Sequence, residues 1–237
     1  LGRLPNVEIL IVQPEPRQAV GPASPLFSPT SPTAPEALTA RSLGSAAPVR
    51  MLWAKRGRGT QCNAGARAAL GELLLFLHDD TRLPSNALDA IGQAFADPAT
   101  CACCFRLRFD SDHRLLATYA YFSRFESILT TFGDQAMVIR RRCFDAVGGF
   151  PDWPLFEDVE LARRIRRQAR LVKLPAAVTT SAVRFERNGV LRQQALNAWL
   201  LLRFLLGASP HQLAARYERR HGSPASSPDR ADPPPSI

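Results

Sequence analysis

The sequence has no apolar run long enough to cross a bilayer. The nearest candidate, Ala195 to Leu206, contains Asn197 and Arg203 and is too short. It is expected either to pack as a helix against the domain or to lie on a membrane surface. No basic-then-apolar signal segment stands at the beginning. The chain is therefore read as soluble or peripheral and, because it begins with Leu1 rather than Met, as a fragment or a processed product. There is no second Cys-x-x-Cys pair to join Cys101-Ala-Cys-Cys104. Cys101, Cys103 and Cys104 are too crowded on one extended segment for a zinc site, and the next His, His113, stands nine residues on. The five cysteines are expected to be buried thiols in a reducing compartment, hence a cytoplasmic protein. No RNA-binding signature, zinc finger or basic stripe interleaved with aromatics accompanies the formal net charge of +9. Nucleic acid is not expected as a partner, and the charge is left to an anionic substrate or surface. There is no internal repeat.

What is present suits one α/β domain with appendages: 237 residues, of which 46% are hydrophobic. Val7 to Val12 reads as a strand. From residue 13 to 48 the chain is crowded with Pro, Ser, Ala and Thr and reads as a disordered insertion, with a short helix near Pro35 to Arg41. A globular domain is expected over 49–221. Val49 to Ala54 reads as a strand, and Thr60 to Leu70 as a helix stopped by Gly71. Residues 72–78 read as a buried strand. Ser85 caps a helix to Ala96, Cys101 to Phe109 reads as a strand, and Leu115 to Leu129 as an apolar helix. Ala136 to Ile139 reads as a strand and Arg141 to Val147 as a short helix closed by Gly148 and Gly149. Asp158 to Ala169 is a helix with Val159, Ala162 and Ile165 on one face and arginines opposite. Leu171 to Leu174 reads as a strand and Leu191 to Leu206 as a last helix, before a Pro- and Ser-rich disordered tail from 222 to 237. Strands alternating with helices imply a mostly parallel sheet with helices on both faces.

Four clusters carry chemistry. Leu73 to Leu77 is an apolar run without alternation, the pattern of a strand buried on both faces in the middle of a parallel sheet. It runs into His78, Asp79 and Asp80, at the sheet edge where α/β proteins bind ligands. Hard oxygen ligands there suit Mg²⁺ or Mn²⁺ on a diphosphate; equally, these acids could cap the next helix. Lys55 to Gly65 is a basic, Gly-rich loop feeding a helix N-terminus, a natural phosphate cradle, though a common pattern. Gly133-Asp134-Gln135 reads as a polar turn entering a strand. Glu157 and Asp158 open the arginine-faced helix, where the dipole stabilises carboxylates and where a general base could equally be aimed into a cleft.

Taken in order, these pieces resemble the family-2 glycosyltransferases of the GT-A fold. The matching segments are Arg58-Gly-Thr-Gln-Cys-Asn-Ala-Gly65, Leu74 to Pro84, Phe132-Gly-Asp-Gln-Ala136, Gly148-Gly-Phe-Pro151 and Glu157-Asp-Val-Glu-Leu161. They are most similar to the branch described for arsenosugar biosynthesis, often found beside radical-SAM genes. The similarity covers roughly residues 49 to 217 and extends to a C-terminal helix pair over Leu200 to Tyr217. It implies an inverting, metal-assisted transfer of a sugar from a nucleotide-sugar donor to an acceptor hydroxyl. Asp80 matches the second acid of the family's Asp-x-Asp metal motif, and His78 stands in the place of the first. Asp158 matches the catalytic base. Arg58, Gln61 and Asn63, with Asp79 and Asp80, match positions near the donor diphosphate; Asp134, Gln135 and Glu157 fall near the sugar and acceptor.

The resemblance also implies a departure. Members begin with a strand that has no counterpart before Val7, and their second strand ends in an acidic turn where this chain has Gln13-Pro14-Glu15-Pro16. With the first strand missing, the chain is expected to bind a nucleotide sugar weakly or not at all. The alternative function is a catalytically impaired relative that serves as a binding or scaffold module.

Overall fold

The computed structural model describes residues 7–16 and 48–221. The Pro/Ser-rich stretch 17–47, with the helix expected inside it, and the tail from 222 lie outside the described residues.

Two sheets form. β1 (Ile9–Pro14) pairs in parallel with β2 (Val49–Ala54). β1 lies two residues later than expected, and Pro14 is tolerated because β1 is an edge strand of a two-stranded sheet. The second sheet has five strands in the order β3 (Leu73–Phe76), β6 (Met137–Arg140), β5 (Thr100–Phe109), β7 (Arg170–Thr180) and β4 (Thr81–Arg82). Only β5 and β7 pair in parallel within it; β3–β6, β5–β6 and β4–β7 are antiparallel. The sheet is therefore mixed: the expectation of a mostly parallel one holds for the β1–β2 and β5–β7 pairings and not for the others. The reason is β6: this short strand is inserted between β3 and β5 and runs against both. β3 also differs from its sequence reading. It stands at the edge of its sheet, and Leu74 alone is fully buried there.

Helices cover both faces of the five-stranded sheet. Alternation along β5 sends Cys103, Phe105, Leu107 and Phe109 into one core with α2 (Ala87–Phe95) and Leu116 of α3 (Arg114–Phe122). Ala102 and Cys104 point into the other core with Met137 and Ile139. That second core is closed by α1 (Arg58–Ala68), α4 (Arg141–Ala146) and α5 (Glu157–Gln168). Val159, Ala162 and Ile165 are buried on α5, as their spacing predicts, and Leu161, outside that pattern, is buried as well.

Two boundaries moved for identifiable reasons. α3 stops at Phe122, short of the expected Leu129, because Ser123 Oγ accepts from Leu107 N–H at 2.8 Å and donates to Ala120 O at 2.6 Å. A serine so engaged competes with the helical ladder. β7 runs far beyond Leu174, through Pro175, because a register shift against β5 lets the strand absorb a residue that cannot donate. The C-terminal region is α6 (Val183–Asn188), α7 (Val190–Leu205) and α8 (Pro210–His221), divided at Gly189 and Gly207, both with positive φ.

Cys101 and Cys143 form a disulfide, linking β5 to α4. This corrects the reading of all five cysteines as free thiols; Cys62, Cys103 and Cys104 remain free.

Candidate active site

Much of the positive charge is spent on structure. Arg141 donates to the carbonyls of Ala66, Ala69 and Gly71, which fastens the end of α1 to the start of β3. Arg140 reaches the carbonyls of Phe95 and Thr100. Arg163 and Arg164 pair with Glu160, and Arg166 with Glu126. Arg58 differs. It opens α1, and its guanidinium stands 3.5 Å from Glu157 Oε1 with half of the side chain still exposed.

Four segments meet beside Arg58: the end of β3, the 3-10 turn Gly133–Gln135, the start of α5 and the start of α1. Asp158 Oδ2 accepts from Gly133 N–H, and Asp158 Oδ1 accepts from Val159 N–H at 2.8 Å. The carboxylate is thus fixed at both oxygens. A Cβ on Gly133 would lie 2.9 Å from Asp158 Oδ2 and 3.3 Å from His78 Nε2. Gly133 is needed because the carboxylate and the imidazole converge on its bare face. Two residues flanking this cluster adopt left-handed backbone without being glycine: Ala136 (φ 49°), just after the turn, and Phe156 (φ 64°), just before Glu157. Strain of this kind concentrates at functional sites. Phe156 is held in that conformation by stacking on Phe204 of α7, with ring centroids 4.8 Å apart.

The cluster is acidic and poorly solvated, and its protonation follows from that. Asp134 Oδ1 is buried without a hydrogen-bond partner. Burial, reinforced by the Asp158 charge, pushes the Asp134 carboxyl up to about 7. Burial and Asp158 also raise Glu157 above the ordinary carboxylate range, against the pull of Arg58. Burial works against the charge on Arg58, yet Glu157 and Asp158 more than offset it and hold its pKa above the ordinary value. Burial, assisted by Arg58, depresses His78 to about 4, so its imidazole is neutral near pH 7. The Asp80 and Asp79 charges act on His78 in the opposite direction, and Asp80 also acts on Asp134, which places the strand-end acids on the same cluster.

The sequence candidates divide. Arg58, His78, Asp80, Asp134, Glu157 and Asp158 come together. Asp79 and Asp80 are exposed at the mouth, and Asp80 accepts from Thr81 Oγ1 at 3.2 Å. Gln61, Asn63 and Gln135 are engaged elsewhere. Gln61 donates to Val12 O at 2.9 Å and ties α1 to β1. Asn63 donates to Phe150 O and accepts from Phe150 N–H, a two-way clamp across 87 residues. Gly59 allows the same close approach, since a Cβ there would lie 2.7 Å from Pro151 O. Gln135 is buried, donates to Thr130 O and accepts from Lys173. Two neighbours went unread in the sequence. Tyr119 on α3 feels Asp134 and Asp158, and burial raises its phenol. Cys62 lies near Arg58, and burial pushes its thiol up to about 12, which keeps it inert. Tyr119 carried no signal because it sits within an apolar helical pattern.

Among the described residues no three His, Cys, Asp or Glu side chains converge as a self-sufficient metal site. The donor set nevertheless fits Mg²⁺ or Mn²⁺ bound in the sparse manner of phosphate enzymes. There, one or two side chains hold the ion and substrate phosphates complete its shell. Exposed Asp80 supplies a hard oxygen, and neutral His78 a nitrogen in the ligating form.

Residues 41–147 match the family model Glycosyl transferase family 2. The match covers the arginine loop, the strand-end acids and the Gly-Asp-Gln turn, and it ends before Glu157 and Asp158. The likeness to that family covers less than half of the chain. No curated protein matches the chain. Solved structures resemble it in part. One is the mannosyltransferase PcManGT from Pyrobaculum calidifontis in complex with GDP-Man and Mn²⁺: 20% identity over 56% of this chain and 39% of that one, TM-score 0.41. Another is Staphylococcus (S. aureus) TarS 1-349 in complex with UDP-GlcNAc: 15% identity over 57% and 42%, TM-score 0.47. TarS 1-349 alone aligns over 74% of this chain and 55% of its own, with 14% identity and TM-score 0.46. The chain spans less than two thirds of the length of each. The architecture is α/β, a mixed sheet with helices on both faces.

Proposed function

We propose that this chain is a nucleotide-sugar-dependent glycosyltransferase that moves a sugar to an acceptor hydroxyl with inversion. One observation carries the reading: Asp158 Oδ2 and His78 Nε2 converge on the bare face of Gly133, beside Arg58 and the orphaned Asp134 oxygen.

In this mechanism Asp158 is the general base. Two backbone N–H groups fix its carboxylate, so it removes the acceptor hydroxyl proton without first reorienting. Arg58, half-exposed, presents its guanidinium to the donor diphosphate, and Glu157 holds it there. Asp134, protonated near neutrality, donates a hydrogen bond to a sugar or acceptor oxygen. Tyr119 backs the acids from α3. Asp80 and His78 would hold a divalent cation, with Asp79 beside them at the mouth; when bound, that ion stabilises the negative charge on the departing diphosphate. Gln61, Asn63 and Gln135 shape the donor and acceptor walls indirectly, through the backbone segments they clamp.

The test is a panel of UDP- and GDP-sugars incubated with the full chain and Mn²⁺, read as nucleoside diphosphate release and as calorimetric binding. Release above the protein-free background supports the reading. Donor binding without release, across the panel and with acceptor mixtures present, replaces it with a binding module. Absence of both overturns it.

A further inference from the structure

The outer face of α7 is apolar where it meets solvent. Opposite the buried Gln193, Leu200 and half-buried Phe204, the exposed residues Leu191, Ala195, Ala198, Leu202 and Leu205 follow one another at spacings of four and three. That spacing makes a single continuous stripe along the whole helix. Trp199 and Leu206 each follow a stripe residue by one and widen it. The large members of this stripe are between 39% and 74% exposed. A helix apolar on both sides is ordinarily covered on both sides.

The charge around the stripe identifies the cover. α7 contains no Asp or Glu, and its exposed Arg192 and Arg203 lie along one flank of the stripe. From Val183 to His221 the chain carries seven arginines and two glutamates. A second copy docking through α7 would set arginine against arginine with no acid on the helix to relieve it. An anionic lipid surface complements both features. Leucines enter the acyl boundary, Trp199 sits at headgroup depth, and the arginines extend to lipid phosphates. No helix among the described residues is long and apolar enough to cross a membrane, so the contact is interfacial. α3, which packs against α7, ends in a second exposed aromatic group, Tyr121 and Phe122, with Arg124 lying 3.7 Å over the Tyr121 ring.

We infer that α7 is a membrane-docking helix, lying in the plane of an anionic bilayer through Leu191, Trp199, Leu202, Leu205 and Leu206 with Arg192 and Arg203 at its rim. The inference does not depend on the transfer reaction.

Co-sedimentation of the full chain with phosphatidylcholine vesicles, with and without phosphatidylserine, tests it. Retention is expected on the phosphatidylserine vesicles, weaker with rising salt and much weaker on phosphatidylcholine alone. Leu202→Glu with Leu206→Glu is expected to lower partitioning by at least about tenfold, and Arg192→Glu with Arg203→Glu to abolish the preference for phosphatidylserine. All four positions are exposed, and unchanged far-UV circular dichroism would show that the fold survives. No retention on phosphatidylserine vesicles overturns the inference, as does equal partitioning of the leucine variant. A dimer in sedimentation velocity that the leucine variant dissociates overturns it in favour of a second copy.

Discussion

The two regions that pack against α1 are built differently. One consists of the Gly133–Gln135 turn and the start of α5, rooted in a core where Ile139, Leu161 and Ala162 are fully buried. Its acids are held by backbone N–H groups, by an ion pair and by strained residues that the surrounding packing fixes in place. The other is the two-stranded sheet of β1 and β2, to which α1 is tied by Gln61. There Val49, Met51 and Trp53 are exposed, Trp53 by 56%. A wall that must hold a base to a fraction of an ångström is embedded in tight packing; a thin sheet is free to vary.

The largest expected effect breaks the first wall chemically. Asp158→Asn keeps the shape, retains one of the two N–H contacts through its single oxygen, and cannot take a proton. Turnover in the nucleotide-sugar assay should fall about 10²–10⁴-fold with the circular dichroism unchanged. Unchanged turnover would remove Asp158 from the mechanism.

The next effect breaks the same wall mechanically. Ile139→Ala leaves a cavity among Leu74, Met137 and Leu161 and should cost about 2–5 kcal/mol in urea unfolding. A loss comparable to that of an exposed site would mean that this core is loosely packed.

Asp134 sharpens the comparison through pH. Its ordinary value is 3.8, and in the folded chain it stands at about 7. The folded state therefore keeps a proton that the unfolded chain releases, so this contribution is full below pH 4 and is lost as pH rises to 7. His78 acts oppositely: its value falls from 6.5 to about 4, so its contribution is lost as pH drops from 6.5 to 4. Asp134→Asn removes only the first. The variant should match the parent near pH 4 and exceed its stability by about 2–4 kcal/mol above pH 7. A difference that does not change with pH would show that Asp134 is well solvated.

The smallest effect belongs to the thin sheet. Trp53→Ser should change stability by less than about 1 kcal/mol, because the indole is mostly in water. A loss as large as that of Ile139→Ala would mean that this face is covered in solution.

Periodicity by itself determined most of the elements. β2 was read at its observed ends, and α5 within one residue, because the spacing of Val159, Ala162 and Ile165 matches one face of a helix. Order along the chain also set out the site motifs, since the arginine loop, strand-end acids, Gly-Asp-Gln turn and Glu-Asp helix start are each local patterns. Pairing direction was not local: nothing within Met137–Arg140 tells it to run against both neighbours, so the mixed sheet emerged only on assembly. The same holds for which polar groups stay available. Asn63 and Gln135 look like Asp134 in sequence, as polar residues in a motif. Only packing decided that their amides would be consumed by Phe150, Thr130 and Lys173 while an Asp134 oxygen was left unpaired. The disulfide was likewise decided by tertiary structure, which brings Cys101 and Cys143 from 42 residues apart to a Cα separation of 5.8 Å. Local pattern fixes which groups a segment carries; desolvation and partnership are properties of what the fold sets beside them.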